Sequence, residues 1–269
     1  MFTRIVTALI LLPLLLGLIL YSPPLGFFLF LSLVIGVGLY EFYRLLDRGA
    51  IPHWKWLGIG CGWSVLGWLG VQQGEQLGFF FSLLLLLHFL VALGQHEPQK
   101  GPIVSSLVAT LSGELYVGFL LSHVYLIYTL HQGKRYLLYL LLTVWLGDSM
   151  ALGIGKRWGR TPLAVHISPH KTIAGAIGGW GGSVLGAVIA KLSFLPTLTM
   201  VDSLLTGTLL ALLGQLGDLA ESLLKRSVGA KDSGDLIPGH GGLLDRIDGL
   251  FFAAPAWYYY LLYIVERRS

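Results

Sequence analysis

Apolar stretches of membrane-spanning length recur through the whole chain, and nothing constrains its fold more. They lie near residues 4–21, 25–44, 55–72, 77–94, 104–130, 135–155, 173–193, 201–222 and 249–265. A helix needs about 20 largely apolar residues to cross the hydrocarbon layer. The chain is therefore predicted to be all-α, a polytopic integral membrane protein with about nine transmembrane helices. Its chemistry must then come from helix ends and short loops. Composition closes off the other classes: 12% of residues are charged, against about 25% in soluble domains. A soluble enzyme, a disordered regulator and a secreted disulfide scaffold are all excluded. Cys61 is the one cysteine, so no intrachain disulfide forms.

Two windows need individual reading. The first follows Arg4 and resembles a signal peptide, but Ser22-Pro23-Pro24 lacks the small-residue pair that cleavage needs, and another apolar run follows at once. It is read as the first membrane helix. The fifth contains Gly113-Glu114 and reads as one tilted helix or two shorter segments. Residues 1–134 are read as a transmembrane scaffold and 135–269 as the catalytic half of one integrated membrane domain.

With nine spans and the N-terminus inside, 13 of the 18 Lys and Arg residues fall on the cytoplasmic side, as the positive-inside rule asks. Lys134, Arg135, Lys191, Arg267 and Arg268 fall outside. Two cytoplasmic loops, 156–172 and 224–248, are longer and more polar than the rest. Six of the 14 acidic residues lie between positions 218 and 248.

In the eighth window Gly214, Asp218, Glu221, Ser222 and Lys225 recur at three- and four-residue spacing and share a helix face. A carboxylate at the bilayer centre costs about 2.5–3.5 kcal/mol, so this stripe must face a polar cavity or the membrane edge. Pairing of Glu221 with Lys225 at an interfacial helix end is the plainer reading. Next, Pro238-Gly239-His240-Gly241-Gly242 would let backbone amides approach an anion. Asp245 and Asp248 would project alike from a following helix. Asp218 and Asp245 would then offer oxygen ligands to Mg²⁺, which binds through one or two carboxylates plus substrate phosphates. Upstream, Lys156, Arg157, Arg160 and Lys171 make a cationic loop, with Ser168 and Thr172 as hydroxyl donors.

Ser222-Leu-Leu-Lys225-Arg226, Lys231-Asp232, Pro238-Gly-His240-Gly241-Gly242 and Asp245-Arg246-Ile-Asp248 together resemble the signature of the phosphatidate cytidylyltransferase (CDP-diacylglycerol synthase) family. Asp148-Ser149 through Arg160 and Ile167-Ser168-Pro169-His-Lys171-Thr172 are similar to that family's upstream motif. Ala174 stands where many members carry Glu or Gln, and Leu152 where an aromatic is common. The resemblance implies transfer of the cytidylyl group of CTP to phosphatidic acid, giving CDP-diacylglycerol and pyrophosphate. It implies Mg²⁺, with room for a second metal ion, on Asp218 and Asp245, joined by Asp248 or Glu221. Lys225, Arg226, Lys231, Arg246 and Lys171 would neutralise phosphates. Gly241 and Gly242, beside His240, would admit one, and Asp148 is a further nucleotide-site candidate. The implied partners are the two substrates and the bilayer, with no nucleic acid and with room for a homodimer. The implied location is a bacterial inner membrane, its active site facing the cytoplasm.

A CTP-dependent polyprenol or phytol-type lipid kinase and a membrane transporter are the alternatives. The pattern of a CDP-alcohol phosphotransferase is absent, since Asp248-Gly249 is followed by Leu-Phe-Phe-Ala. His166 and His170 lack a third ligand for zinc. Gly178, Gly182 and Gly186 read as a packing ladder, Glu41-Phe-Tyr-Arg44 as an interfacial helix end, Glu114 and His123 as an interior hydrogen-bonded pair, and Trp257 with Tyr258, Tyr259 and Tyr260 as an aromatic belt.

Overall fold

The computed structural model describes residues 2–72, 76–94, 102–234, 236 and 241–268, with side chains from residue 9 onward. Ten α-helices account for most of these residues. Six helical stretches are long and apolar enough to cross a membrane: Pro24–Arg48, Leu77–Gly94, Ile103–Thr129, Gly133–Trp158, Ile173–Ser193 and Met200–Ser227. Leu9–Tyr21 is a shorter apolar helix. Helices also occupy the windows at 55–72 and 249–265. The chain is a multi-pass membrane protein, divided into two compact units that are described in turn.

The first unit comprises residues 1–126 and 227–244. It holds α1 (Phe2–Tyr21), α2 (Pro24–Arg48), α3 (Lys55–Gln72), α4 (Leu77–Gly94), α5 (Ile103–Gly113), a π-helical segment (Glu114–Phe119) and most of α6 (Leu120–Thr129). Proline opens α2, where its missing N–H costs nothing. Phe27, Leu31, Ile35, Leu39, Phe42 and Leu46 then recur on one buried face. On α4, Phe80, Leu84, His88 and Ala92 are buried, while Leu83, Leu86, Leu90 and Leu93 face outward. A helix that is apolar on both faces with its one ionisable residue inside is built for lipid, not water. The fifth window is one continuous helix, because α5, the π turn and α6 join without a break.

Glu41 corrects a reading of the sequence. It lies inside α2 and is 4% exposed, so its carboxylate faces the protein interior rather than an open surface. Its carboxylate accepts the N–H groups of Leu243 and Leu244, each at 3.0 Å, and the Ser233 hydroxyl at 3.2 Å. A buried carboxylate is tolerable only when hydrogen-bonded, and here the returning segment 227–244 supplies the donors.

The second unit comprises residues 127–226 and 245–269. It holds α7 (Gly133–Trp158), β1 (Pro162–Ala164), β2 (Ser168–Thr172), α8 (Ile173–Ser193), α9 (Met200–Ser227), α10 (Leu244–Tyr260) and a π turn at Leu261–Val265. The antiparallel β1–β2 hairpin, in register Pro162↔Thr172 and Ala164↔Ser168, departs from an all-α expectation. Gly178, Gly182 and Gly186 of α8 lie on α7. A Cβ at Gly182 would stand 2.7 Å from the Leu146 carbonyl and from Met150 Cβ, and one at Gly178 would stand 2.6 Å from Ile154. Thr199 and Asp202 exchange hydrogen bonds at the start of α9 in a capping box. Asp202 also accepts from Tyr260 and Arg268.

The aromatic-belt reading fails for two of its members. Trp257 is fully buried, stacked on Tyr139 with centroids 4.5 Å apart, and its Nε1–H donates to the Tyr136 carbonyl at 3.0 Å. Tyr258 is buried as well. An aromatic run on a helix presents its rings to several sides, so some of them must enter the core.

Candidate active site

Two helices of the second unit meet where neither carries a side chain. A Cβ at Gly217 of α9 would stand 2.5 Å from the Asp248 carbonyl of α10, and Gly214 and Gly249 approach each other in the same region. Only glycine permits that approach. The residues just beyond the crossing are Asp218 and Glu221 on one helix and Asp248 on the other. One carboxylate oxygen from each lies within 4.8 Å of the others.

Two lysines stand among these acids. Lys171, delivered by β2, places Nζ 2.6 Å from Asp218 Oδ2. Lys225, one turn beyond Glu221, is 2.5 Å from Glu221 Oε2 and 2.5 Å from Asp245 Oδ1. The i,i+4 pairing of Glu221 with Lys225 is therefore present, but it is buried, with Glu221 1% and Lys225 9% exposed. Asp245, expected beside Asp218 as a principal ligand, lies against Lys225, and the carboxylates gathered most closely are those of Asp218, Glu221 and Asp248.

Charge arithmetic defines what the cluster lacks. Asp148 of α7 lies within Coulombic range of Asp218 and Lys171, and Asp248 within range of Asp148, Asp218 and Glu221. Five carboxylates thus face two ammonium groups. Glu221 Oε1 has no hydrogen-bond partner among the described residues. An all-oxygen donor set with excess negative charge and an unpartnered buried oxygen fits a hard divalent cation of the Mg²⁺ class.

The remaining expected residues divide by place. Thr172 caps α8, its hydroxyl accepting the Gly175 N–H at 3.1 Å, and half-buried Ser168 starts β2. Arg226 is exposed and donates to the Ile167 carbonyl at 3.4 Å. Arg246 is exposed on α10. Lys231, also exposed, belongs to the first unit with Gly241 and Gly242. Gly241 has φ +81°, a left-handed conformation suited to glycine. Gly242 has a packing reason, since a Cβ there would stand 1.9 Å from Ser233 Oγ and 2.7 Å from Glu41 Oε2. His240 lies outside the described residues, as do Pro238 and Gly239. His166 and His170 are both exposed. Glu41 is the polar residue that sequence reasoning missed. Its only signal is an acid in an apolar helix, and its partners lie about 200 positions away in the chain.

Comparison with known proteins bears on this arrangement. A family model described as the cytidylyltransferase family matches residues 2–264. The uncharacterized protein YnbB of Escherichia coli is 33% identical over 246 residues, covering 87% of this chain and 78% of that protein. A Bacillus subtilis phosphatidate cytidylyltransferase is 36% identical over 183 residues, 67% of this chain and 66% of that one. One from Staphylococcus aureus (strain COL) is 48% identical over 128 residues, 47% of this chain and 49% of that one. The matched region therefore spans about half the length of the Staphylococcus relative.

Proposed function

This chain belongs to the cytidylyltransferase family, and from that membership we propose that it transfers the cytidylyl group of CTP to phosphatidic acid. The products are CDP-diacylglycerol and pyrophosphate, made for phospholipid synthesis. The observation that carries the proposal is the convergence of Asp218, Glu221 and Asp248 beside Lys171 and Lys225 where α9, a helix of membrane-spanning length, meets α10. The Bacillus and Staphylococcus relatives named above supply the lipid substrate.

The reaction needs positioning and charge neutralisation more than covalent catalysis. A phosphate oxygen of phosphatidate attacks the α-phosphorus of CTP, and the bond to the β-phosphate oxygen breaks to release pyrophosphate. Mg²⁺ on Asp218, Glu221 and Asp248, with room for a second ion, would neutralise phosphate charge. Lys171, on a hairpin rather than a helix, can exchange its contact with Asp218 for a phosphate oxygen. Lys225 stays between Glu221 and Asp245 and orients both carboxylates. Arg226 and Arg246 add exposed positive charge to this unit, and in this reading Ser168 and Asp148 flank the nucleotide. In this reading the polar loops face the cytoplasm of a bacterial cell, at the inner membrane. Phosphatidate reaches the site with its acyl chains still in lipid.

The test is purified protein with phosphatidate in micelles, Mg²⁺ and CTP labelled in cytidine or in the γ-phosphate. Cytidine label in the lipid product supports the proposal. Label arriving from the γ-phosphate instead would identify a lipid kinase, and flux across liposomes without lipid conversion a transporter.

A further inference from the structure

A second cluster of ligand-type side chains lies in the first unit, and none of its residues takes part in the site described above. Cys61 of α3, His88 of α4 and Glu114 at the start of the π-helical segment are 5%, 0% and 1% exposed. A sulfur, a ring nitrogen and a carboxylate oxygen from these three lie within 4.8 Å of one another. The chemistry of this set differs from the all-oxygen site of the second unit.

The hydrogen bonds around His88 show what the cluster demands. Its Nδ1 stands 2.7 Å from the Leu84 carbonyl, an acceptor only, so Nδ1 carries a proton and donates it. Nε2 then faces Glu114 Oε1 at 2.8 Å. A neutral ring would set a nitrogen lone pair against a carboxylate oxygen, so a positive species, either a proton or a metal ion, must lie between them. A histidine whose other nitrogen donates to a backbone carbonyl has the orientation typical of metal-ligating imidazoles. Glu114 Oε2, in turn, is buried and has no hydrogen-bond partner among the described residues. Such an ionisable group inside a membrane span calls for a partner.

Charge balance selects the ion. A thiolate, a carboxylate and a neutral imidazole sum to −2, and a divalent cation brings that to zero, which suits an apolar interior. Sulfur and imidazole together favour zinc over magnesium. A tetrahedral zinc ion holds such ligands at about 2.0–2.3 Å, which sets them roughly 3.3–3.8 Å apart. The His88–Glu114 contact would open slightly and Cys61 close in. The π turn at Glu114 is the kind of irregularity that helices place at functional positions.

We propose that Cys61, His88 and Glu114 form a binding site for a thiophilic divalent cation, zinc foremost, which ties α3, α4 and the π-helical segment together. Binding displaces the Cys61 thiol proton and the proton shared by His88 and Glu114, so two protons leave for each ion that enters. Three protein ligands leave one coordination position for water.

The experiment exploits the single cysteine. Chelator-stripped protein in detergent, with excess Mg²⁺ present, is titrated with Co²⁺ and then with Zn²⁺. A thiolate-to-cobalt charge-transfer band that saturates at one ion per chain and is displaced by zinc is the expected result. The band should persist in D218N/D248N, vanish in C61S, and need at least about tenfold more cobalt in E114Q. Zinc should also raise the thermal midpoint of wild-type protein and slow alkylation of Cys61. Wild-type protein that shows no such band with Mg²⁺ present, or one whose band survives in C61S, overturns the proposal. Because the deciding measurement is on wild-type protein, a variant that fails to fold does not spoil the test.

Discussion

At Lys225 one ammonium group stands 2.5 Å from Glu221 and 2.5 Å from Asp245, in a helix with lipid-facing leucines on its other sides. Removing one partner of a buried ionic set costs about 3–5 kcal/mol, because the others keep their desolvation penalty. K225M should therefore lower the thermal midpoint in detergent, and adding E221Q should recover part of that loss without restoring turnover. D245N is expected to abolish turnover while leaving the protein folded. D248N should cut activity by at least roughly 100-fold, on the scale of losing one preorganised electrostatic group, and raise the Mg²⁺ concentration needed for half-maximal rate. Turnover within a few-fold of wild type in D248N would remove Asp248 from the cation site. The spacing of Asp218, Glu221 and Lys225 made their shared face legible in the sequence. How Asp245 and Asp248 divide the cluster was not legible, because helix phase does not say which of two residues at i and i+3 meets the lysine of a neighbouring helix and which meets its carboxylates.

That choice is made one scale up, where α9 and α10 touch at backbone level. Gly217 leaves no room for a Cβ against the Asp248 carbonyl, so G217A forces the two helices apart. It should lower kcat and weaken Mg²⁺ dependence more than it lowers stability. G182L on α8 is the counterpart away from the carboxylates. It collides with Leu146 and Met150 of α7 and should cost about 1–3 kcal/mol by overpacking, read as a lower thermal midpoint. The apolar windows located these helices well, because a span's length and composition are set by the bilayer itself. The β1–β2 hairpin went unread because strands of three and five residues rich in Pro, His and Lys have no alternation to detect. The π-helical segment was only partly legible. Its mark on the sequence, Gly113-Glu114, signalled an anomaly in the fifth window without saying that the helix continues through it.

For the molecule as a whole, the distribution of basic residues predicts an orientation in the bilayer. Single cysteines introduced at Arg160 and Arg226, both exposed, should react with an impermeant maleimide only from the cytoplasmic side, with buried Cys61 silent. Labelling of intact cells at these positions would reverse the assignment. Hydropathy and charge address this level because they are sums over many residues. They could not read Glu41, whose value depends on three donors that arrive about 200 residues later. That separation gives synthesis a timetable. The helices of the first unit enter the membrane with an acidic side chain on an otherwise apolar buried face, and α7, α8 and α9 are all made before the segment that satisfies it. Throughout that interval the carboxylate is without those three donors, so the early half of the chain completes its packing only when its last polar loop is translated.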